Sequence, residues 1–115
     1  MRIIYYNKLG NIVTGYWQVS SVSIAEDNSI YIPASKFFMD GIEYNVEELT
    51  SSFWFPRNGD KVYLEVDQLN PGSLIYCIVQ EDSTEKPNPI YKEPIMWVEN
   101  DTLYVLKHFG LNVGG

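Results

Sequence analysis

The sequence predicts an all-β fold, either an antiparallel sandwich or a partly open barrel, built from hairpins and a central meander. Residues 37–79 are apolar alternating runs separated by Asp40-Gly41, Asn58-Gly59 and Pro71-Gly72, and such pairs are strong local signals of antiparallel hairpins. Aromatic residues make up 15% of the chain, and they favour strands. The best helical candidate, residues 46–51, is too short to be a stable helix in water.

The first elements are predicted to be short strands joined by polar turns. Residues 2–6 and 12–19 form a predicted hairpin whose turn contains Gly10, and Gly15 indicates a bulge in its second strand. Residues 21–24 alternate, which places Val22 and Ile24 on an inward face. A turn at residues 26–29 then leads to a short strand at residues 30–32.

The central meander contains five predicted strands, at residues 37–39, 42–46, 52–55, 61–67 and 73–79. In the fourth, Val62, Leu64 and Val66 share one face, which is typical of a strand with one buried side. The fifth is apolar on both faces, which predicts a central position or a covering layer. Between them, Pro71 fixes φ in a tight turn and Gly72 is expected at positive φ.

Three parts of the chain are predicted: a main β domain at residues 1–82, a proline-containing linker at residues 83–93 and a C-terminal hairpin at residues 94–115. The linker begins with charged and hydroxyl residues and contains prolines, which resist joining a sheet. The hairpin is apolar on both faces, and two strands cannot bury two faces alone. We therefore expect it to pack on the main domain or on a neighbouring subunit.

Charge and composition exclude several classes of function. The formal net charge is −7 and the eight Lys and Arg residues are scattered singly, so the sequence predicts no direct nucleic-acid binding. No apolar run approaches the length of a membrane span, and the N-terminus does not resemble a signal peptide. A single cysteine, Cys77, cannot form an internal disulfide and suits folding in a reducing cytoplasm.

No residue pattern in the sequence predicts catalysis, a metal site or a cofactor. His108 is the single histidine and has no second imidazole or cysteine at ligand spacing. Glu65 and Asp67 share a strand face, but that face is predicted to be solvated. The terminal Gly114-Gly115 resembles the tail of ubiquitin-like modifiers, although we expect a frayed end. The protein is therefore predicted not to be an enzyme.

The aromatic residues are the strongest indication of a binding surface. Neighbours on one strand point to opposite faces, so the aromatic side chains cannot all enter one core. Rigid aromatic side chains commonly anchor protein contacts and also stack on sugars. The predicted interface candidates are Tyr5, Tyr16, Trp17, Trp54, Tyr63 and Trp97.

Several stretches resemble the accessory β domains of phage virion appendages, such as tail-fibre, baseplate and head-fibre modules. They are residues 39–46, 62–67 and 97–105, joined by a proline-containing linker, while residues 3–13 resemble the start of small phage tail proteins. The resemblance implies a structural or attachment role, often as a homotrimer, and carries over no catalytic residue. It implies contacts with copies of the chain and with other virion proteins.

The preferred hypothesis is a non-enzymatic virion or appendage protein, made in the host cytoplasm and assembling through aromatic-rich β faces and edges. A surface carbohydrate or a protein receptor is a further expected partner. The alternative is a small acidic inhibitor that blocks a nucleic-acid-binding target such as a host defence nuclease, because an acidic surface can occupy a basic groove. The third hypothesis is an enzyme acting on carbohydrate through paired carboxylates.

Overall fold

The computed structural model describes residues 1–10 and 13–110, which form ten β-strands. All the regular structure in these ranges is strand, which confirms the all-β class. The strands are β1 Arg2–Lys8, β2 Gly15–Gln18, β3 Ser23–Ile24, β4 Ile30–Tyr31, β5 Ser35–Met39, β6 Ile42–Val46, β7 Lys61–Val66, β8 Ser73–Val79, β9 Met96–Glu99 and β10 Thr102–Phe109.

Eight of the strands form one sheet in the order β1-β10-β2-β5-β6-β8-β7-β9, and β3 pairs with β4 separately. Strand β9 also pairs with β10, which closes the sheet into a barrel of seven strands and leaves β1 outside the ring. A barrel removes most open edges and encloses one core. The architecture is therefore a closed barrel with an added edge strand, and not a two-sheet sandwich.

Two pairings are parallel, which corrects the prediction of a purely antiparallel sheet. Strand β1 runs parallel to β10 along its whole length, with a register shift after Tyr6. Strand β6 pairs in parallel with β8 at two positions, where Asn45 faces Ser73 and Val46 faces Leu74. Because β10 lies between β1 and β2, the predicted N-terminal hairpin does not form. Its predicted residue Ile12 is outside the described residues.

The predicted meander is interrupted at residues 52–55, which form no strand. Trp54 is buried there, whereas Phe53 and Phe55 on either side are 67% and 50% exposed. The alternating pattern that predicts a strand here therefore comes from a loop in which the Trp54 side chain is buried and its two neighbours are exposed. A bridge between Ile32 and Leu49 holds the start of the same connection.

The predicted tight turns at Asp40-Gly41 and at Pro71-Gly72 are confirmed. At the first, Asp40 and Gly41 have φ values of 50° and 81°, as a type I′ hairpin turn between β5 and β6 requires. Between β7 and β8, Gly72 has φ 94°, and the Ser73 amide donates a hydrogen bond to the Asn70 carbonyl at 3.1 Å. Asn100, in the turn between β9 and β10, also has a positive φ, of 51°.

Stacked rings fill one part of the core. Phe109 of β10 lies 4.1 Å from Tyr91 and 5.5 Å from Phe37 between ring centroids. Gly15 permits this packing, because a Cβ added there would lie 2.0 Å from the Phe38 carbonyl oxygen and 2.5 Å from Phe109 Cζ. Its pairing with β10 and β5 is in regular register, so the predicted bulge at Gly15 is wrong.

The segment between β8 and β9 is irregular but attached to the barrel. The amides of Ile90 and Ile95 donate to the carbonyls of Leu64 and Val62 on β7, at 3.0 and 2.8 Å. Tyr91 and Ile95 are buried. The following β9 and β10 form part of the barrel wall, so the last hairpin contributes directly to the core formed with the preceding strands.

Candidate interaction surface

Three aromatic side chains form a continuous cluster on the outside of the barrel. The Trp97 ring stacks on Tyr104 with centroids 5.3 Å apart, and Tyr6 meets Trp97 edge-on at 5.5 Å. Tyr6 is 42% exposed, and Trp97 and Tyr104 are half-buried. We call these three residues the aromatic face. Such a cluster has the rigid, amphipathic area that protein contacts use as anchors.

Strand register explains why these residues meet. Trp97 and Tyr104 are cross-strand partners in the β9–β10 hairpin, so their side chains share one side of the sheet. Their opposite neighbours Val98 and Leu103 are buried on the inner side. Strand β1 is in parallel register with β10, which places Tyr6 opposite Leu106, two residues beyond Tyr104 on the same side.

A groove of about 250 Å³ extends from the aromatic face toward β7. Its charged wall includes an ion pair between Lys8 and Glu93, and Lys61 lies beside Trp97 in the β7–β9 register. Glu93 also accepts a hydrogen bond from the Tyr91 hydroxyl at 2.9 Å. The groove therefore combines ring surfaces with ordered charges. The lining residues are Tyr6, Lys8, Lys61, Glu93, Pro94, Trp97 and Leu106.

Strand β1 adds an open edge beside the aromatic face. The Arg2 amide donates to Asp101 and the Lys8 carbonyl accepts from Gly110, so these β1 residues bond toward β10. Because peptide groups alternate along a strand, Ile3, Tyr5 and Asn7 direct theirs to the other side, where no described strand pairs with β1. An open strand edge is a template for pairing with a further strand.

A second group of rings lies on β2, β5 and β10. Tyr16 stacks on Phe38 with a centroid separation of 4.5 Å, and the His108 ring lies 5.8 Å from Tyr16. His108 also contacts Asn7 through Nδ1 at 3.3 Å. These contacts place His108 in a surface packing role, with its ring between an aromatic and an amide side chain.

The structure separates the six sequence-predicted interface candidates into three groups. Tyr5 and Tyr16 are 47% and 39% exposed, and Tyr63 and Trp97 are half-buried. Lys107 lies over the Tyr5 ring at 5.3 Å. Trp97 is the candidate that belongs to the aromatic face, and the structure does not bring the others to it.

Trp17 and Trp54 are buried, which corrects their place among the interface candidates. Each indole Nε1 donates inside the molecule, to Ser35 Oγ at 2.8 Å and to Asp60 Oδ2 at 3.0 Å respectively. Their alternation with exposed neighbours could not reveal which way each ring points. Tyr104 is absent from the sequence-predicted candidates, although the register of the β9–β10 hairpin pairs it with Trp97.

The carboxylates considered for catalysis have structural partners. Glu65 accepts from the Asn88 amide at 2.6 Å, and Asp67 accepts from the Leu69 amide at 3.0 Å within the turn after β7. In the described ranges, no three His, Cys, Asp or Glu side chains are grouped as metal ligands would be. Those ranges also contain no helix that is long and apolar enough to span a membrane. Gly114-Gly115 lies outside them.

Asp27 lies in a hydrogen-bonded polar cluster with Ser29 and Ser52 on the surface. It accepts from the Ser29 hydroxyl and amide and from the Ser52 hydroxyl, the last at 2.6 Å. These hydrogen bonds, chiefly that from the Ser29 side chain, lower the pKa of Asp27 to about 2. The Ser52 amide in turn donates to Ser29 Oγ at 2.7 Å. The cluster fixes the loop that carries Phe53 and Trp54 against the turn before β4.

Comparison with known proteins gives little further information. No family model matches the chain, and no curated protein matches it. Among solved structures, the chain is similar to the crystal structure of the gene 22 product of the Bacillus subtilis SPP1 phage, at a TM-score of 0.47 and 14% identity. That match covers 96% of this chain and 98% of the other.

Proposed function

We propose that this chain is a non-enzymatic structural or attachment protein of a phage virion or appendage, and that it assembles through the aromatic face and the open edge of β1. The single observation that carries the assembly role is the Tyr6–Trp97–Tyr104 cluster on the outer side of the barrel wall. Core packing does not require these rings, since Leu103, Val105 and Val98 already fill the inner side of the same strands.

The open edge of β1 supports the same surface. An added strand beside β1 would bond to the peptide groups of Ile3, Tyr5 and Asn7, and its side chains would lie next to Tyr6. Main-chain bonding at an edge and anchoring by adjacent rings are the two components of β-strand addition between subunits. The phage assignment is supported by the sequence resemblance of residues 39–46, 62–67 and 97–105 to virion appendage domains.

The proposal predicts self-association that depends on the aromatic face. Light scattering at micromolar concentration should give a mass above that of one chain. Trp97→Ala should weaken the association by on the order of 2 kcal/mol or more, as expected for a central aromatic anchor. Ile42→Ala is the matched control, because Ile42 is an apolar side chain with 55% exposure on a different strand and should leave the mass unchanged.

The virion assignment has its own test. Mass spectrometry of purified particles of the phage that encodes the chain should detect it in a fixed stoichiometry. A chain that stays monomeric at all concentrations and is absent from particles would contradict the proposal. In that case tight, strongly salt-dependent binding to a basic nucleic-acid-binding protein would favour the acidic inhibitor instead.

A further inference from the structure

A second opening lies on another part of the barrel, beside β8. Strand β8 pairs with β7 from Leu74 to Val79, but with β6 only at Ser73 and Leu74. Beyond Val46 the chain leaves β8 and pairs through Leu49 with Ile32. Strands β6 and β8 therefore diverge after Leu74.

The separation exposes an unpaired section of the β8 edge. Ser73 bonds on the β7 side, where its carbonyl accepts from the Asp67 amide at 2.9 Å. Leu74 bonds on the opposite side, where its carbonyl accepts from Glu47 at 3.3 Å. By alternation, Tyr76 and Ile78 direct their peptide groups to that opposite side. No backbone partner for them exists there within residues 1–10 and 13–110.

A pocket of about 340 Å³ lies against this edge. Its apolar walls include Leu49, Phe53, Ile75 and Tyr76, and Phe53 is 67% exposed at the rim. The volume suits one or two apolar side chains from an added strand. Apolar side-chain pockets beside an open edge are what gives strand addition its sequence specificity.

The charge at the pocket distinguishes between possible occupants. Glu47 and Glu48 line it, and Glu48 is held by the Tyr31 hydroxyl at 2.9 Å. A second copy would bring its own glutamates to the same place and carries a net charge of −7. Like charges at an interface oppose pairing, whereas Lys or Arg on the entering segment would be favoured.

We propose that the opening beside β8 binds an extended, basic segment of another protein, which adds as a strand along Tyr76–Ile78, places an apolar side chain between Phe53 and Ile75, and sets a Lys or Arg against Glu47. This site is separate from the aromatic face. Its success or failure is therefore independent of the assembly role proposed above.

The test uses the full-length chain and a displayed library of random ten-residue peptides. Enriched peptides should alternate apolar residues and carry Lys or Arg near the centre. Fluorescence anisotropy with a synthetic enriched peptide should show at least tenfold weaker binding to Glu47→Lys and to Phe53→Ala. The same peptide with alternate backbone nitrogens methylated should also lose at least tenfold, because it cannot donate to the strand edge.

Two matched controls use the same changes elsewhere on the surface. Glu26→Lys makes the same charge reversal, and Leu69→Ala shortens an apolar side chain that is 96% exposed. Both should bind the peptide as the wild type does. Failure to enrich any peptide, enrichment without basic residues, or equal binding to Glu47→Lys and Glu26→Lys would overturn the proposal. Self-association abolished by Phe53→Ala would also overturn it and assign the opening to a second copy.

Discussion

The indole of Trp54 donates a hydrogen bond to a carboxylate oxygen of Asp60 across 3.0 Å, and both side chains are buried. The same oxygen accepts from the Arg57 amide at 3.1 Å. The Asp60 backbone continues the contact by accepting from the Val98 amide of β9 at 3.0 Å. One residue thus joins the irregular loop before β7 to the wall of the barrel.

Replacing Asp60 with Ala should destabilise the protein by about 3 kcal/mol. The change leaves the buried Trp54 indole and the partly buried Arg57 amide without their carboxylate acceptor. Urea unfolding measures the loss. Asp82→Ala is the control, because Asp82 is exposed, and it should change the free energy of unfolding by less than about 0.5 kcal/mol. Equal effects of the two substitutions would contradict a structural role for the buried carboxylate.

A methyl group added at Gly15 should destabilise the barrel by about 3 kcal/mol, because it would overlap the Phe38 carbonyl oxygen and the Phe109 ring. Thermal unfolding monitored by circular dichroism measures the change. The double variant Gly15→Ala with Phe109→Leu separates the two overlaps. Replacing the Phe109 ring with the smaller leucine side chain removes the overlap with the ring, but the overlap with the Phe38 carbonyl oxygen remains. The double variant should therefore stay well below the wild type in stability.

Valine at position 72 should cost about 1–3 kcal/mol for a different reason. An added Cβ there meets no atom within 4 Å, but the backbone φ is +94°, which a β-branched residue rarely adopts. Gly72→Asn is the matched variant, since asparagine tolerates positive φ better. Denaturant unfolding should show the wild type to be the most stable, Gly72→Asn less stable and Gly72→Val the least stable. A valine variant as stable as the wild type would contradict the turn.

Acid stability should depend on Asp27. Its pKa is lowered from 3.8 to about 2 in the folded protein, so the carboxylate stabilises the fold fully above pH 3.8. That contribution is lost as the pH falls through about 2. The difference in unfolding free energy between the wild type and Asp27→Asn should therefore become smaller as the pH falls from 5 to 2. Carboxyl resonances followed by NMR should show Asp27 titrating near pH 2, and a midpoint near 3.8 would contradict the hydrogen-bonded cluster.

The thiol of Cys77 should react slowly in the native protein. Burial, together with the carboxylates of Glu65 and Glu85, raises its pKa to about 11. At pH 8 the thiolate fraction is then on the order of a hundredfold lower than for a free cysteine. Iodoacetamide labelling followed by mass spectrometry measures the rate, and denatured protein is the control. Rapid native labelling would contradict the burial of the Cys77 thiol.

Local sequence signals were sufficient wherever two neighbouring strands are joined by a tight turn. Asp40-Gly41 and Asn70-Pro71-Gly72 specify the backbone dihedral angles of their turns, so the β5–β6 and β7–β8 hairpins could be predicted. The prediction of Trp97 as a surface ring rested on a weaker argument, namely that aromatic neighbours on one strand cannot all face the core. Its partner Tyr104 is four positions beyond the β9–β10 turn residue Asn100, and the hairpin register fixes their contact.

Long-range pairing could not be predicted from local patterns. Nothing near Arg2 or Thr102 indicates that β1 and β10 pair in parallel, because a parallel ladder needs no shared turn. Trp54 is held by the side chain of Asp60, whose carbonyl in turn accepts from Val98 of β9, and no local pattern indicates this link. The prolines before Tyr91 predict a linker, yet the Tyr91 ring stacks on Phe109 in the core.

Closure of the barrel through β10 has a consequence for synthesis on the ribosome. Strand β10 contacts β1, β2 and β9, and it follows them all in the chain. During synthesis, β1 and β2 cannot pair with β10 until residues 102–109 have left the exit tunnel. Non-local pairing of this kind slows folding. The first two strands therefore lack this partner until β10 has emerged, and the native barrel forms only after that point.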